Sequence, residues 1–139
     1  MKQQVEEAIL MSKYWLKAAE TSKADGGYKL AVYALEMALE TVLKALLLSL
    51  KIEPPKSHNI AAFVRESLRP NAENLPQNLI SEIDEMLSVF QLLLDNKNVA
   101  GYSFSTGSDV TVLKKIIEDD LPKVKRYTNI YGSAALKLV

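Results

Sequence analysis

Residues 28–50 read YKLAVYALEMALETVLKALLLSL and form the most strongly helical segment of the chain. Their apolar side chains recur at three- and four-residue steps and cover most of the circumference of one helix. The charges within this segment follow a single stripe, because Glu36, Glu40 and Lys44 succeed one another at four-residue steps. A helix that is apolar on most sides needs neighbours on most sides. We therefore expect it to be the central helix of an all-α domain.

The flanking residues predict an all-α, up-and-down bundle of four to five helices, built by one domain over residues 1–139. A first helix is expected over about residues 5–24 and ends where Gly26 permits a tight turn. Ser57 has the side chain of an N-cap, and it predicts the start of a short third helix that reaches about residue 68.

The second half of the chain predicts two longer helices. Apolar periodicity supports a fourth helix over about residues 75–94, and the polar, glycine-containing stretch 95–108 predicts a loop. A last helix is expected to extend to about residue 136, with a kink or a break at Pro122. The acidic run on this helix, residues 118–120, is interpreted as a solvated helix face.

Composition narrows the classes of function. The chain has 139 residues, of which 48% are hydrophobic, so it can form a packed domain. Seventeen basic residues balance seventeen acidic ones, which does not favour RNA or DNA as a partner. Cysteine is absent, so thiolate chemistry and sulfur-based zinc sites are excluded. The start of the chain does not resemble a signal peptide, and no apolar run could span a bilayer, so we expect a cytoplasmic protein without membrane contact.

Two motifs resemble the HEPN family. The central helix carries an aromatic residue after its first alanine and then the pattern A-x-E-x-x-L-K-A-L-L, with Tyr33, Glu40 and Lys44 on matching positions. The segment PKSHNIAAF, residues 55–63, is similar to the family's P-x-T/S-H-x-I/L-x-x-L turn and contains His58. The resemblance implies a HEPN-like bundle, like the C-terminal domain of the KNTase fold. It also implies a homodimer, often paired with a small nucleotidyltransferase of the MNT type in a toxin–antitoxin setting.

The family's known chemistry is metal-independent RNA cleavage by an arginine and a histidine, commonly within RNxxxHGY. The corresponding residues here, 95–102, read DNKNVAGY. Asp95 stands in the place of the arginine and Ala100 in the place of the histidine. An aspartate repels a phosphate and an alanine transfers no proton, so the resemblance implies a member without the ribonuclease pair.

The sequence thus predicts a non-catalytic HEPN-type module, a homodimer that binds a nucleotide or a nucleotidyltransferase partner. No catalytic residue, metal or cofactor is assigned. The expected ligand-binding residues are Tyr33, Glu40, Lys44, His58 and Tyr102. The alternative is a metal-independent ribonuclease with an atypical site that uses His58 and a lysine.

Structural roles for the same residues stay open. His58 is the only histidine of the chain, and at a helix start it is a structural residue or a ligand contact. Glu40 and Lys44 form either a solvated ion pair or part of a groove. Tyr33 either packs in the core, with Trp15 and other aromatic residues, or stacks on a base.

Overall fold

The computed structural model describes the backbone of residues 1–106 and 110–139, and the side chains of residues 1–97 and 110–139. The described residues form six α-helices and no strand, so the predicted all-α bundle is confirmed. The helices are α1 (Lys2–Ala24), α2 (Tyr28–Ser49), α3 (Ala61–Leu68), α4 (Gln77–Ser81), α5 (Ile83–Thr106) and α6 (Val110–Leu138), with a 3-10 helix over Arg69–Asn74 between α3 and α4.

Helix α2 lies at the centre of the bundle, as predicted. It packs against α1, α5 and α6, and its leucines are shielded from solvent. The largest fully buried side chains around it are Phe90 of α5 and Tyr127 and Tyr131 of α6. Burying side chains of this size supplies most of the favourable free energy of folding. Because α2 is surrounded by other helices, charged side chains on its flanks are buried inside the bundle, and they form the site described below.

The turn between α1 and α2 follows the prediction. Gly26 has a φ of 76°, in the left-handed region that a residue without Cβ adopts at little cost. The amide of Gly27 donates to the carbonyl of Ser22 at 2.7 Å and so closes the end of α1. The short turn makes α1 and α2 an antiparallel pair.

The predicted boundaries between α2 and α5 need two corrections. Ser57 is not the N-cap of the third helix, because α3 begins at Ala61 and the Ser57 hydroxyl instead accepts a hydrogen bond from the amide of Asn59 at 3.1 Å. The predicted fourth helix is divided into α4 and α5, which meet at Glu82. Pro76 directly precedes α4 and fits there, because the first turn of a helix needs no amide donor.

The loop predicted over residues 95–108 is wrong, because α5 continues to Thr106. The small polar residues suggested a loop, but the apolar stripe of Phe90, Leu93 and Leu94 continues at helical spacing into Lys97, which is buried. Residues 107–109 lie outside the described part of the chain.

The break predicted at Pro122 is also wrong, because α6 runs from Val110 to Leu138 with Pro122 inside it. Proline removes a single amide donor, and buried residues on both sides, among them Leu121 and Val124, hold the helix in place.

The solvated face predicted for residues 118–120 holds for Glu118 and Asp119 but is wrong for Asp120, which is only 4% exposed. No helix in the described part of the chain is long and apolar enough to cross a membrane.

Candidate functional site

Two carboxylates of the central helix lie inside the bundle. Glu36 and Glu40 are one helical turn apart on α2, with exposed fractions of 0% and 3%. A buried carboxylate without a cation or hydrogen-bond donor is costly, so both side chains need partners from neighbouring elements. The alternative of a solvated ion pair between Glu40 and Lys44 is therefore wrong for Glu40, which is buried.

Lys97 of α5 supplies the buried cation. Its Nζ lies 2.8 Å from Oε2 of Glu36 and 3.9 Å from Oε1 of Glu40. The same Nζ lies 3.1 Å from the sulfur of Met37 and 4.9 Å from the centre of the Tyr33 ring, in the position of a cation–π contact. Lys97 is only 5% exposed, so these contacts replace nearly all of its hydration. The lysine ties α5 to α2 at this point.

His58 reaches the same carboxylates from the segment between α2 and α3. Its Nδ1 lies 3.0 and 3.1 Å from the two oxygens of Glu40, and 3.5 Å from Nζ of Lys97. An ionised carboxylate only accepts hydrogen bonds, so Nδ1 donates its proton to Glu40. In the neutral ring this tautomer leaves Nε2 as the acceptor, and the side chain is 62% exposed. We call Glu36, Glu40, His58 and Lys97 the buried charge cluster.

Lys44 borders this cluster from the next turn of α2. Its Nζ lies 3.1 Å from Oε2 of Glu40, and its side chain is partly exposed. Tyr33 borders it on the other side and meets Trp15 of α1 edge to face, with 6.1 Å between ring centres. The exposed parts of Tyr33, Lys44 and His58 thus form a rim above the buried carboxylates.

The pKa values of Glu36 and Glu40 are shifted in opposite directions. Burial is the main reason that the pKa of Glu36 rises from its ordinary 4.5 to about 8, and the neighbouring Glu40 adds to this, while Lys97 opposes it. Burial would also raise the pKa of Glu40, but the adjoining Glu36, His58 and Lys44 outweigh it and the pKa is lowered. The two groups titrate as a pair, in which Glu36 is the one that favours protonation and Glu40 the one that favours the negative charge.

The structure brings together four of the five residues predicted to bind a ligand: Tyr33, Glu40, Lys44 and His58. The side chain of the fifth, Tyr102, lies outside the described residues. The alternative of core packing for Tyr33 holds in part, because the ring contacts Trp15 and still keeps an exposed face.

Sequence reasoning missed Lys97. A signal was available, since Lys97 follows Leu93 by four residues and Leu94 by three, and so falls on the buried stripe of a continuous helix. One oxygen atom of the cluster, Oε1 of Glu36, is buried without a hydrogen-bond partner in the described structure. Within the same described residues, no group of three acidic or histidine side chains is arranged to hold a metal ion.

The all-α bundle, with a polar cluster beside its central helix, defines the class of this protein as a helical-bundle domain. The model of the HEPN domain family matches residues 5–97, which is most of the chain and includes every member of the buried charge cluster. The chain therefore belongs to the HEPN family. No curated protein and no solved structure gives a match.

Proposed function

We propose that this chain is a non-catalytic HEPN-type module that acts as a homodimer and binds a nucleotide or a nucleotidyltransferase partner, in a toxin–antitoxin-like setting. One observation carries the proposal. The cation beside the only histidine, Lys97, is buried and already engaged with Glu36 and Glu40. A cation held in this way is not available to a phosphate group that arrives from solvent.

Cleavage of a phosphodiester needs a cation that faces the negative charge that develops on the phosphate. The cations recorded near Glu40, namely Lys44 and Lys97, both contact carboxylate oxygen atoms. The polar contacts of His58 in the described structure are with Glu40 and Lys97, and none is with an arginine. This arrangement supports binding at the rim rather than chemistry at the cluster.

A nucleotide suits the rim on chemical grounds. The exposed face of Tyr33 can stack on a base, and Lys44 and His58 offer donors to phosphate or ribose oxygens. The charge on Glu40 disfavours a phosphate that enters deeply, so the ligand is expected to lie across the rim. A partner protein could occupy the same surface with an aromatic or acidic side chain.

The first test is calorimetric titration with ATP, GTP and their monophosphates. We expect Tyr33→Leu to weaken the binding of the best of these ligands by roughly tenfold, because base stacking on an aromatic ring contributes about 1–3 kcal/mol. Tyr14→Leu is the matched control, since Tyr14 is an exposed tyrosine of α1 at which no loss is expected. Equal losses in the two variants would count against a nucleotide at this rim.

A metal-independent ribonuclease is the second candidate, and one contact favours it. Glu40 holds His58 with Nε2 as the acceptor, which is how a carboxylate prepares an imidazole to act as a base. Nζ of Lys97 lies 3.5 Å from the same ring. Incubation of the purified chain with labelled RNA separates the candidates: cleavage that disappears in His58→Ala would replace our proposal with this one.

Exposed apolar side chains on α1 and α2 support a homodimer. Leu30 of α2 and Leu10 and Met11 of α1 present apolar surface to solvent, with Leu30 58% exposed. Exposed apolar side chains close to one another often mark an interface between subunits.

The dimer is tested by analytical ultracentrifugation. Leu30→Glu is expected to convert a dimer into a monomer, because the interface would have to bury an unpaired carboxylate. Leu136→Glu is the control, since Leu136 is an exposed leucine of α6, and this variant should remain dimeric. A wild-type chain that sediments as a monomer at high micromolar concentration would remove the dimer from the proposal.

A further inference from the structure

Asp120 of α6 is a buried carboxylate of a different kind. It is 4% exposed, and its Oδ2 has no hydrogen-bond partner in the described structure. It belongs to none of the ion pairs recorded there. The carboxylates of Glu36 and Glu82 also have one orphaned oxygen atom, but each pairs with a cation through its other oxygen, Glu36 with Lys97 and Glu82 with Arg126.

The surroundings of Asp120 do not compensate its charge. Burial is the main reason that its pKa is raised; the charge of Lys123 lowers the pKa, and the charge of the adjacent Asp119 raises it further. A buried carboxylate oxygen without a hydrogen-bond donor or a cation lowers stability. The cost is offset when a cation with hydrogen-bond donors reaches the carboxylate.

Asp120 lines an open cavity of about 240 Å³ between α5 and α6. We call it the Asp120 cavity, and its other lining residues are Leu92, Val112, Lys115, Ile116 and Asp119. Lys115 and Asp119 pair with each other at 3.5 Å. Asp120 has no such partner in the described structure, so it is the unpaired carboxylate among the residues that line the cavity.

The walls of the cavity are apolar and reach the surface. Leu92 and Val112 are 43% and 51% exposed, and Ile116, the third apolar residue of the lining, is buried. A ligand that fits needs a cationic end for Asp120 and an aliphatic stem for the walls, which is the chemistry of lysine and arginine side chains. The exposed apolar surface at Leu92 and Val112 extends beyond the Asp120 carboxylate. It can therefore contact apolar residues that flank the lysine or arginine in a bound polypeptide.

We propose that the Asp120 cavity binds a lysine or arginine side chain of a partner polypeptide, with the cation on Asp120 and the neighbouring apolar residues on Leu92 and Val112. This surface is separate from the rim at Tyr33 and His58. It lies mainly on α6, beyond the residues 5–97 that match the HEPN family. The inference therefore does not depend on the function proposed above.

The test uses the full ¹⁵N-labelled chain and two blocked tripeptides, Leu-Arg-Leu and Leu-Gln-Leu, followed by NMR titration. In the wild-type chain the arginine peptide is expected to shift the amide signals of Leu92 and residues 112–120, and to bind roughly tenfold more tightly than the glutamine peptide, as expected for one charge-assisted hydrogen bond. Equal affinities, or shifts that lie elsewhere, would overturn the proposal without any mutant.

The matched pair of variants is Asp120→Asn and Asp119→Asn. Asp120→Asn should remove the preference for arginine over glutamine, while Asp119→Asn should keep it, because Asp119 is exposed and paired with Lys115. Without peptide, Asp120→Asn should melt at the same or a higher temperature, since it removes a buried uncompensated charge. A lower melting temperature would show that Asp120 stabilises the fold, and it would overturn the proposal. Binding of free agmatine as tight as that of the arginine peptide would show a site for small amines, and it would overturn the proposal as well.

Discussion

Lys97→Met is expected to lower the free energy of unfolding by about 3–5 kcal/mol, the usual cost of removing one partner from a buried ion pair. Methionine keeps most of the length and apolar volume of the lysine stem, so the loss comes from the charge. Without Nζ, the carboxylate of Glu40 loses a cation 3.9 Å away, and the carboxyl of Glu36 loses its donor at 2.8 Å. Urea unfolding at pH 7, followed by circular dichroism, measures the change.

Two variants control this result. Lys44→Met removes the other cation beside Glu40, but Lys44 is partly exposed, so the loss should stay below about 1 kcal/mol. Adding Glu40→Gln to Lys97→Met should recover part of the lost stability, because the remaining carboxylate charge is removed as well. A Lys97→Met protein as stable as the wild type would show that the buried pair contributes no net stability.

The free energy of unfolding of the wild-type chain is expected to fall as the pH rises from 5 to 8. The pKa of Glu36 is about 8 in the folded chain, against 4.5 for the free side chain, so between these values the folded state holds a proton that the unfolded state has released. Raising the pH therefore favours unfolding. Because one pKa unit corresponds to about 1.4 kcal/mol, the ceiling for this loss is roughly 5 kcal/mol.

Glu36→Gln is expected to flatten this dependence, because glutamine resembles the protonated carboxyl and does not titrate. At pH 8 the variant should be more stable than the wild type. Glu66→Gln, at an exposed position of α3, should keep the wild-type slope. The lowered pKa of Glu40 acts in the opposite direction and only below pH 4.5, where its protonation destabilises the fold. An unchanged slope in Glu36→Gln would place the titrating group elsewhere.

Much of the candidate site could be predicted from the central helix alone. The four-residue spacing of Glu36, Glu40 and Lys44 places them on one stripe, and the family motifs single out Tyr33 and His58. The contact of these side chains with Lys97 of α5 could not be derived from the central helix. It depends on where α5 crosses α2, which is set by packing over the whole bundle rather than by local spacing.

The burial of Asp120 likewise could not be predicted from local sequence. It lies between Asp119 and a buried leucine in a run that reads as solvated, and a neighbouring acidic residue gives no local reason to treat it differently. Helical spacing places it on the side of Ile116 and Val124, both of which are buried. Whether that side meets solvent, a cation or an apolar wall is a property of the neighbouring helix. The burial of Asp120 was therefore a finding of the structure.

Pro122 has a mechanical consequence for α6. The missing amide removes one rung of the helical ladder, so this turn is where α6 bends at the lowest cost. Buried residues lie on both sides of this turn, with Leu113 and Ile117 before it and Tyr127 and Tyr131 after it. Packing against the bundle therefore fixes the direction of both halves of α6, and the weak point at Pro122 lets each half follow its own neighbours without breaking the helix.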